Sequence, residues 1–169
     1  MTISGAGRVV SDSHFVNLSS GNGFDILSGA QITAGGQISL STSGNIAAAG
    51  SFSSQNIYAY SSGGSVNLPA SAYAIAGNLF VHAHDNINLG GVSVGNLTAE
   101  TDGDLNILGT ACASRSVQLR GDNIFVTSAG SVAASEIVDI VARSNALNVA
   151  VGGAVRGNLA TILVGNDVV

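Results

Sequence analysis

Two histidines, His82 and His84, stand two residues apart in the apolar run GNLFVHAHDNINLGG (residues 77–91), and an acid and two asparagines follow closely. An H-x-H pair on a strand can offer two imidazole nitrogens to a divalent cation. Glu100 or Asp102, about twenty residues downstream, could supply a third ligand. A second chemistry uses the carboxylates Glu100 and Asp102 with Arg120 on a polysaccharide, since paired carboxylates can do acid–base work on a glycosidic bond. In that reading Tyr58, Tyr60 and Phe80 would stack on sugar faces, either in cleavage or in passive binding. The third reading is a solvated ladder of opposite charges, Glu100 with Arg120 and Asp122 with Arg143, each pair contributing ~0–1 kcal/mol.

Which reading holds depends on the elements that carry these residues, and the chain repeats itself. Steps of twenty from Ile32 meet Phe52, Ala72, Val92, Cys112 and Val132, all apolar. Steps of twenty from Ala34 meet Ser54, Ala74, Val94, Ser114 and Ala134, all small or apolar. Two further columns, Ile38–Ile57–Leu79–Leu97–Val117–Val138 and Leu40–Ala59–Val81–Ala99–Leu119–Ile140, run at nearly the same period. So does Ile26–Ile46–Val66–Ile87–Leu105–Ile124–Leu147. Turn dipeptides such as Gly44-Asn45, Gly63-Gly64 and Asp85-Asn86 precede most members of the last column, as sharp corners require. A unit of two or three short strands cannot bury its apolar side alone, but a stack of such units can. The expectation is an all-β fold, one parallel β-helix (solenoid) over residues 1–169. About eight coils of ~20 residues would span ~40 Å at the usual strand spacing, right-handed by the crossover rule. An antiparallel sandwich is the competing architecture, but it has no reason to keep three apolar columns at one period.

On this scaffold Leu79, Val81 and Ala83 point inward, so Phe80, His82 and His84 point outward. The outward column through His82 reads Ser41, Tyr60, His82, Glu100, Arg120, Val141; the one through His84 reads Ser43, Ser62, His84, Asp102, Asp122, Arg143. The solvated ladder is the reading expected. A metal held by His82, His84, Glu100 and Asp102 would lack the surrounding groups that orient ligands, and no cleft around Glu100 and Asp102 is visible in the sequence. No catalytic residue and no cofactor are expected. Ligand-binding candidates are Tyr58, Tyr60, Phe80, His82, Glu100 and Arg120. A groove through them would favour sugar, and a flat wall a purely structural role.

Composition narrows the function classes. Only 9% of residues are charged, the net charge is −5, and all five cations are Arg. No basic stripe for nucleic acid is present, no apolar run reaches a membrane span, and MTISGAGRVV has no signal-peptide pattern. Cys112, lying in TACASRS, reads as a small buried hydrophobe. GVSVG (residues 91–95) fits G-x-S-x-G, but that elbow needs a helix after its strand, and Val92 and Val94 belong to the inward columns.

Units such as GDLNILGTACASRSVQLRGDNIFV and GGQISLSTSGNIAAAGSFSSQNIYAY resemble the repeats of filamentous haemagglutinins, the exported adhesins of two-partner secretion. The shared pattern is an acidic, Asn or Gly corner, an apolar-x-apolar triplet, a few small residues and a second triplet, over about residues 20–166. The resemblance implies a right-handed β-helix serving as a shaft at the bacterial surface or outside the cell, with glycans or neighbouring cell surfaces as partners. Ile3 keeps the phase of Ile26, and Val168 that of Leu147. Ile3, Val168 and Val169 are therefore candidates for a head-to-tail contact, which would make the chain a filament subunit; the other expectation is a segment of a longer solenoid.

Overall fold

The computed structural model describes residues 1–12, 14–69, 73–150 and 152–165, with the side chains of residues 73–76 and 145 outside the description. Of the expected positions, Ala72, Val168 and Val169 fall outside it. The chain is a parallel β-solenoid of about seven turns, 69% strand, with no helix among the described residues. Among the described residues every strand pairing is parallel. The turn number falls below the expected eight because the early and late coils exceed twenty residues. Ile26 lies 23 residues beyond its rung partner Ile3 and Ala160 lies 22 beyond Val138, whereas in the middle Asn106 lies 18 beyond Asn88.

Each turn has three sides. A short side holds triplets such as Val66–Leu68, Ile87–Leu89 and Leu105–Ile107. A second side, exemplified by Gln31–Ala34, leads to a longer face exemplified by Gln37–Thr42. In the middle of the molecule these two sides fuse across a bend into single strands, Ser51–Ser61, Tyr73–Ala83 and Val92–Thr101. Small and β-branched residues make this possible: they leave the backbone extended and fill a narrow interior without crowding. On the long face both expected columns stack as read, Ile38 to Ile57 to Leu79 to Leu97 to Val117 to Val138, with Leu40 to Ile140 alongside. All of these are 3% exposed or less.

The other columns need correction. Val92 is in register with Ala111, and Ala111 with Val132, so Cys112 is not in the inward column. That coil is one residue short of twenty, and a one-residue slip turns a side chain to the opposite face. Cys112 therefore points outward, half-buried, and Ser114 is exposed while Ala113 takes the inward place. Tyr73, not Ala72, pairs with Phe52. Ile26 pairs with Ala48, and Ile46 pairs with Phe24. The early coil carries extra residues in the corner Leu27–Ala30, where Gly29 takes a left-handed backbone (φ 88°). Ile3 does pair with Ile26, as its phase implied.

Polar ladders line the corners. Asn78 donates its side-chain amide to the Asn56 Oδ1 and Asn96 to that of Asn78, both at 2.7 Å; the Ser116 hydroxyl continues to Asn96 at 2.9 Å. At the next corner Ser61 and Thr101, both fully buried, donate their hydroxyls to the carbonyls of Gly44 and Asp85 on the rung behind. They also accept the amides of Gly64 and Gly103. Among the described residues no buried side-chain polar atom lacks a partner, the condition under which buried polar groups stabilise rather than cost. At the opposite extreme the last described strand, Leu159–Val164, is exposed at all six positions. Ile162 there is 45% exposed, against 0% for its register partner Ile140.

Where glycine holds the bend, at Gly77 and Gly95, the rung behind leaves no room for a Cβ. A Cβ on Gly95 would lie 2.6 Å from the Gly77 carbonyl oxygen, whereas one on Gly21 would meet nothing within 4 Å. Gly95→Ala should therefore cost about 1–3 kcal/mol by overpacking, and Gly21→Ala less than about 0.5 kcal/mol, compared by urea denaturation midpoints. Equal midpoints would mean that the rungs are not in contact at the bend.

Candidate functional site

The candidate residues lie on the outer side of the long face, where alternation places every second residue in solvent and stacking places rung partners about 4.8 Å apart. Tyr60 pairs with His82, His82 with Glu100, Glu100 with Arg120 and Arg120 with Val141, the column expected. Parallel to it Tyr58 pairs with Phe80 and Phe80 with Thr98.

The rings use this spacing directly. Tyr58 and Phe80 stack with centroids 4.8 Å apart and planes 7° from parallel, and Tyr60 and His82 stack at 5.0 Å and 9°. Stacked neighbours of this kind contribute ~0.5–1.5 kcal/mol beyond area burial. They also hold four rings in one orientation, with one face of each ring against its partner.

The charges pair differently from the expectation. Glu100 and Arg120 are rung partners, but Arg120 reaches instead toward Asp139, at 4.0 Å. Arg143 grips both carboxylates two rungs behind, Glu100 and Asp102, each at 3.3 Å, while also donating to the Thr101 carbonyl at 3.2 Å. The reason is geometric. Glu100 and Asp102 are two apart on one strand and point the same way, so a single planar guanidinium fork can engage both, and its long arm spans the intervening rung. His84 Nδ1 lies 3.3 Å from the other Asp102 oxygen. Hydrogen bonds from Arg143 and then His84 hold the Asp102 carboxyl below its ordinary value of 3.8.

The metal reading is not assembled. His82 is stacked on Tyr60, while His84 lies past the strand end on Asp102. Among the described residues no group of three or more His, Cys, Asp or Glu is placed to hold a metal ion. Ser93 sits in mid-strand between inward Val92 and Val94, far from an elbow.

The outer wall is not flat. A depression of about 210 Å³ is lined by Tyr58, Tyr60, Phe80, His82, Thr98 and Glu100. A second, about 590 Å³, lies among Glu100, Arg120, Asp139, Val141 and Arg143 and extends to Leu163. Glu100 lines both, so the two adjoin along the axis and are treated together as the groove of the long face. The sequence named Tyr58, Tyr60, Phe80, His82, Glu100 and Arg120 as binding candidates and placed Val141 and Arg143 on the same flank; it missed Thr98 and Asp139, which belong to the neighbouring outward column and carried no motif, and Leu163 and Gly165 on the last rung.

No family model, curated protein or solved structure matches the chain.

The ion cluster gives a direct expectation. Asp102 should titrate below 3.8 and return toward that value in Arg143→Ala, followed by carboxyl carbon NMR shifts. Because the folded value is depressed, the network's stabilisation is present above the unfolded carboxylate value and lost as pH falls through the folded one. An unchanged Asp102 midpoint in the variant would remove Arg143 as the cause.

Proposed function

We propose that the protein is a structural shaft: a rigid β-solenoid segment of an exported, adhesin-like bacterial surface protein, whose rungs stack on further rungs of the same geometry. Those rungs belong either to flanking coils of one longer chain or to a second copy joined head to tail. One observation carries the reading: long-face register runs unbroken from Phe15–Ser20 to Leu159–Val164, each rung sealed by the next. Seven such turns extend roughly 34 Å at one strand spacing per turn. An object built by translation alone has no natural length limit, and its stability is close to a sum of neighbour contacts. Among the described residues the strand Leu159–Val164 pairs on one side only and its apolar side chains are exposed, the kind of edge that takes up another strand. The likeness of the repeats to filamentous haemagglutinin units supports the surface location and the adhesin setting, with no cofactor and no catalytic step.

Two measurements test this. Deleting residues 79–96 joins Asn78 to Leu97, the rung partner of Leu79. The shortened chain should remain cooperatively folded, with scattering data showing a rod about 5 Å shorter; collapse to an unfolded chain would overturn the shaft. Negative-stain microscopy of the intact protein at high concentration should show rods several units long. Particles of one length at every concentration would remove the head-to-tail contact and leave only the flanking-coil form.

A further inference from the structure

We propose that the groove along the long face is a binding site for a neutral oligosaccharide, independent of whether the solenoid serves as a shaft. Its two ends differ in chemistry. At one end Tyr58, Tyr60, Phe80 and His82 provide apolar ring surface locked by stacking. Tyr60 remains 45% exposed although an aromatic side chain of its size gains by burial. At the other end Glu100, Arg120, Asp139 and Arg143 present planar polar groups whose positions are held by mutual ion pairs. From Tyr60 to Leu163 the groove crosses five rung steps, about 24 Å, so its natural occupant is a chain of units and not a single small molecule.

Several observations select the class of occupant. The backbone of the long face is already paired on both sides at each interior rung. An extended peptide therefore cannot join it as an added strand, and recognition must come through side chains. Two arginines stand against Glu100, Asp102 and Asp139, so the groove carries no positive excess, and the whole chain is at −5. Nucleic acid and sulfated or other polyanionic glycans find no field to attract them. A neutral sugar chain fits both ends: its C–H faces and edges pack on the rings, and its hydroxyls pair with carboxylates and guanidinium groups, which have unused acceptors and donors. Because the rings and ion pairs are ordered before binding, little side-chain freedom remains to be lost. The site binds, and no bond is made or broken.

The test uses the intact protein on an array of neutral hexose and N-acetylhexosamine oligosaccharides, with heparin fragments and polysialic acid as polyanionic probes. The best-retained glycan is then titrated by calorimetry. The expectation is saturable binding of a neutral oligosaccharide, weakened about tenfold or more in Tyr60→Ala and in Glu100→Gln. Phe15→Ala, which removes an aromatic side chain 60% exposed but outside the groove, should bind as the parent does. Thermal melting confirms that all three variants fold. The proposal is overturned if no neutral glycan is retained, if only the polyanions bind, or if Tyr60→Ala and Glu100→Gln leave the affinity unchanged.

Discussion

Everything in this molecule depends on the backbone ladder between rungs. Parallel hydrogen bonding places equivalent residues of successive turns about 4.8 Å apart, so a side chain's closest neighbours are residues roughly a turn away in sequence. Inward, this sealing makes one continuous core, with Ile38, Leu79, Leu97, Val117 and Val138 completely buried. The constraint is strict because a slip of one residue exchanges inside for outside. The chain therefore varies its turn length only at corners and bends, where glycines, asparagines and small hydroxyl residues absorb the difference. Bulges such as that between Val94 and Asn96 restore register before the long face begins.

The same spacing governs the outer surface. A separation near 4.8 Å suits stacked rings and stacked amides, so the aromatic pairs and the Asn56–Asn78–Asn96 ladder form with little adjustment of the backbone. It is unfavourable for like charges. The neighbouring acids Glu100 and Asp102 are accompanied by Arg143, whose arm reaches two rungs back. Exposed pairs of this kind add little to stability. Their effect is to fix the orientation of Glu100 and Asp102, and so the polar wall of the groove. The groove is thus a by-product of ladder stabilisation: bulky partners raise one part of the face, and the small Thr98 and Val141 leave the next part low.

The long face was legible in sequence although its rung spacing varies from 18 to 22 residues, because each strand is marked by two large or small apolar residues two apart, such as Leu79 with Val81 and Leu97 with Ala99. The other sides were less so. Counting in twenties placed Cys112 inside and aligned Ile26 with Ile46, yet a coil shorter by one residue and a corner longer by two sufficed to move both. Nothing local in TACASRS reveals such a slip, since alanine, cysteine and serine are all small enough for either side. The outward column through His82 was read correctly for a related reason: it alternates with the apolar pairs of the long face.

The sequence by itself determined that the chain winds as stacked parallel rungs and which residues share the candidate face, because periodic apolar positions and intolerance of a one-residue slip are properties of the chain alone. Tertiary structure decided who touches whom on that face. Arg143 takes Glu100 and Asp102, Arg120 turns to Asp139, and the rings close on each other. Those choices, and the groove they leave, depend on arm length and on three-dimensional neighbours a full turn or two away, which no linear spacing specifies.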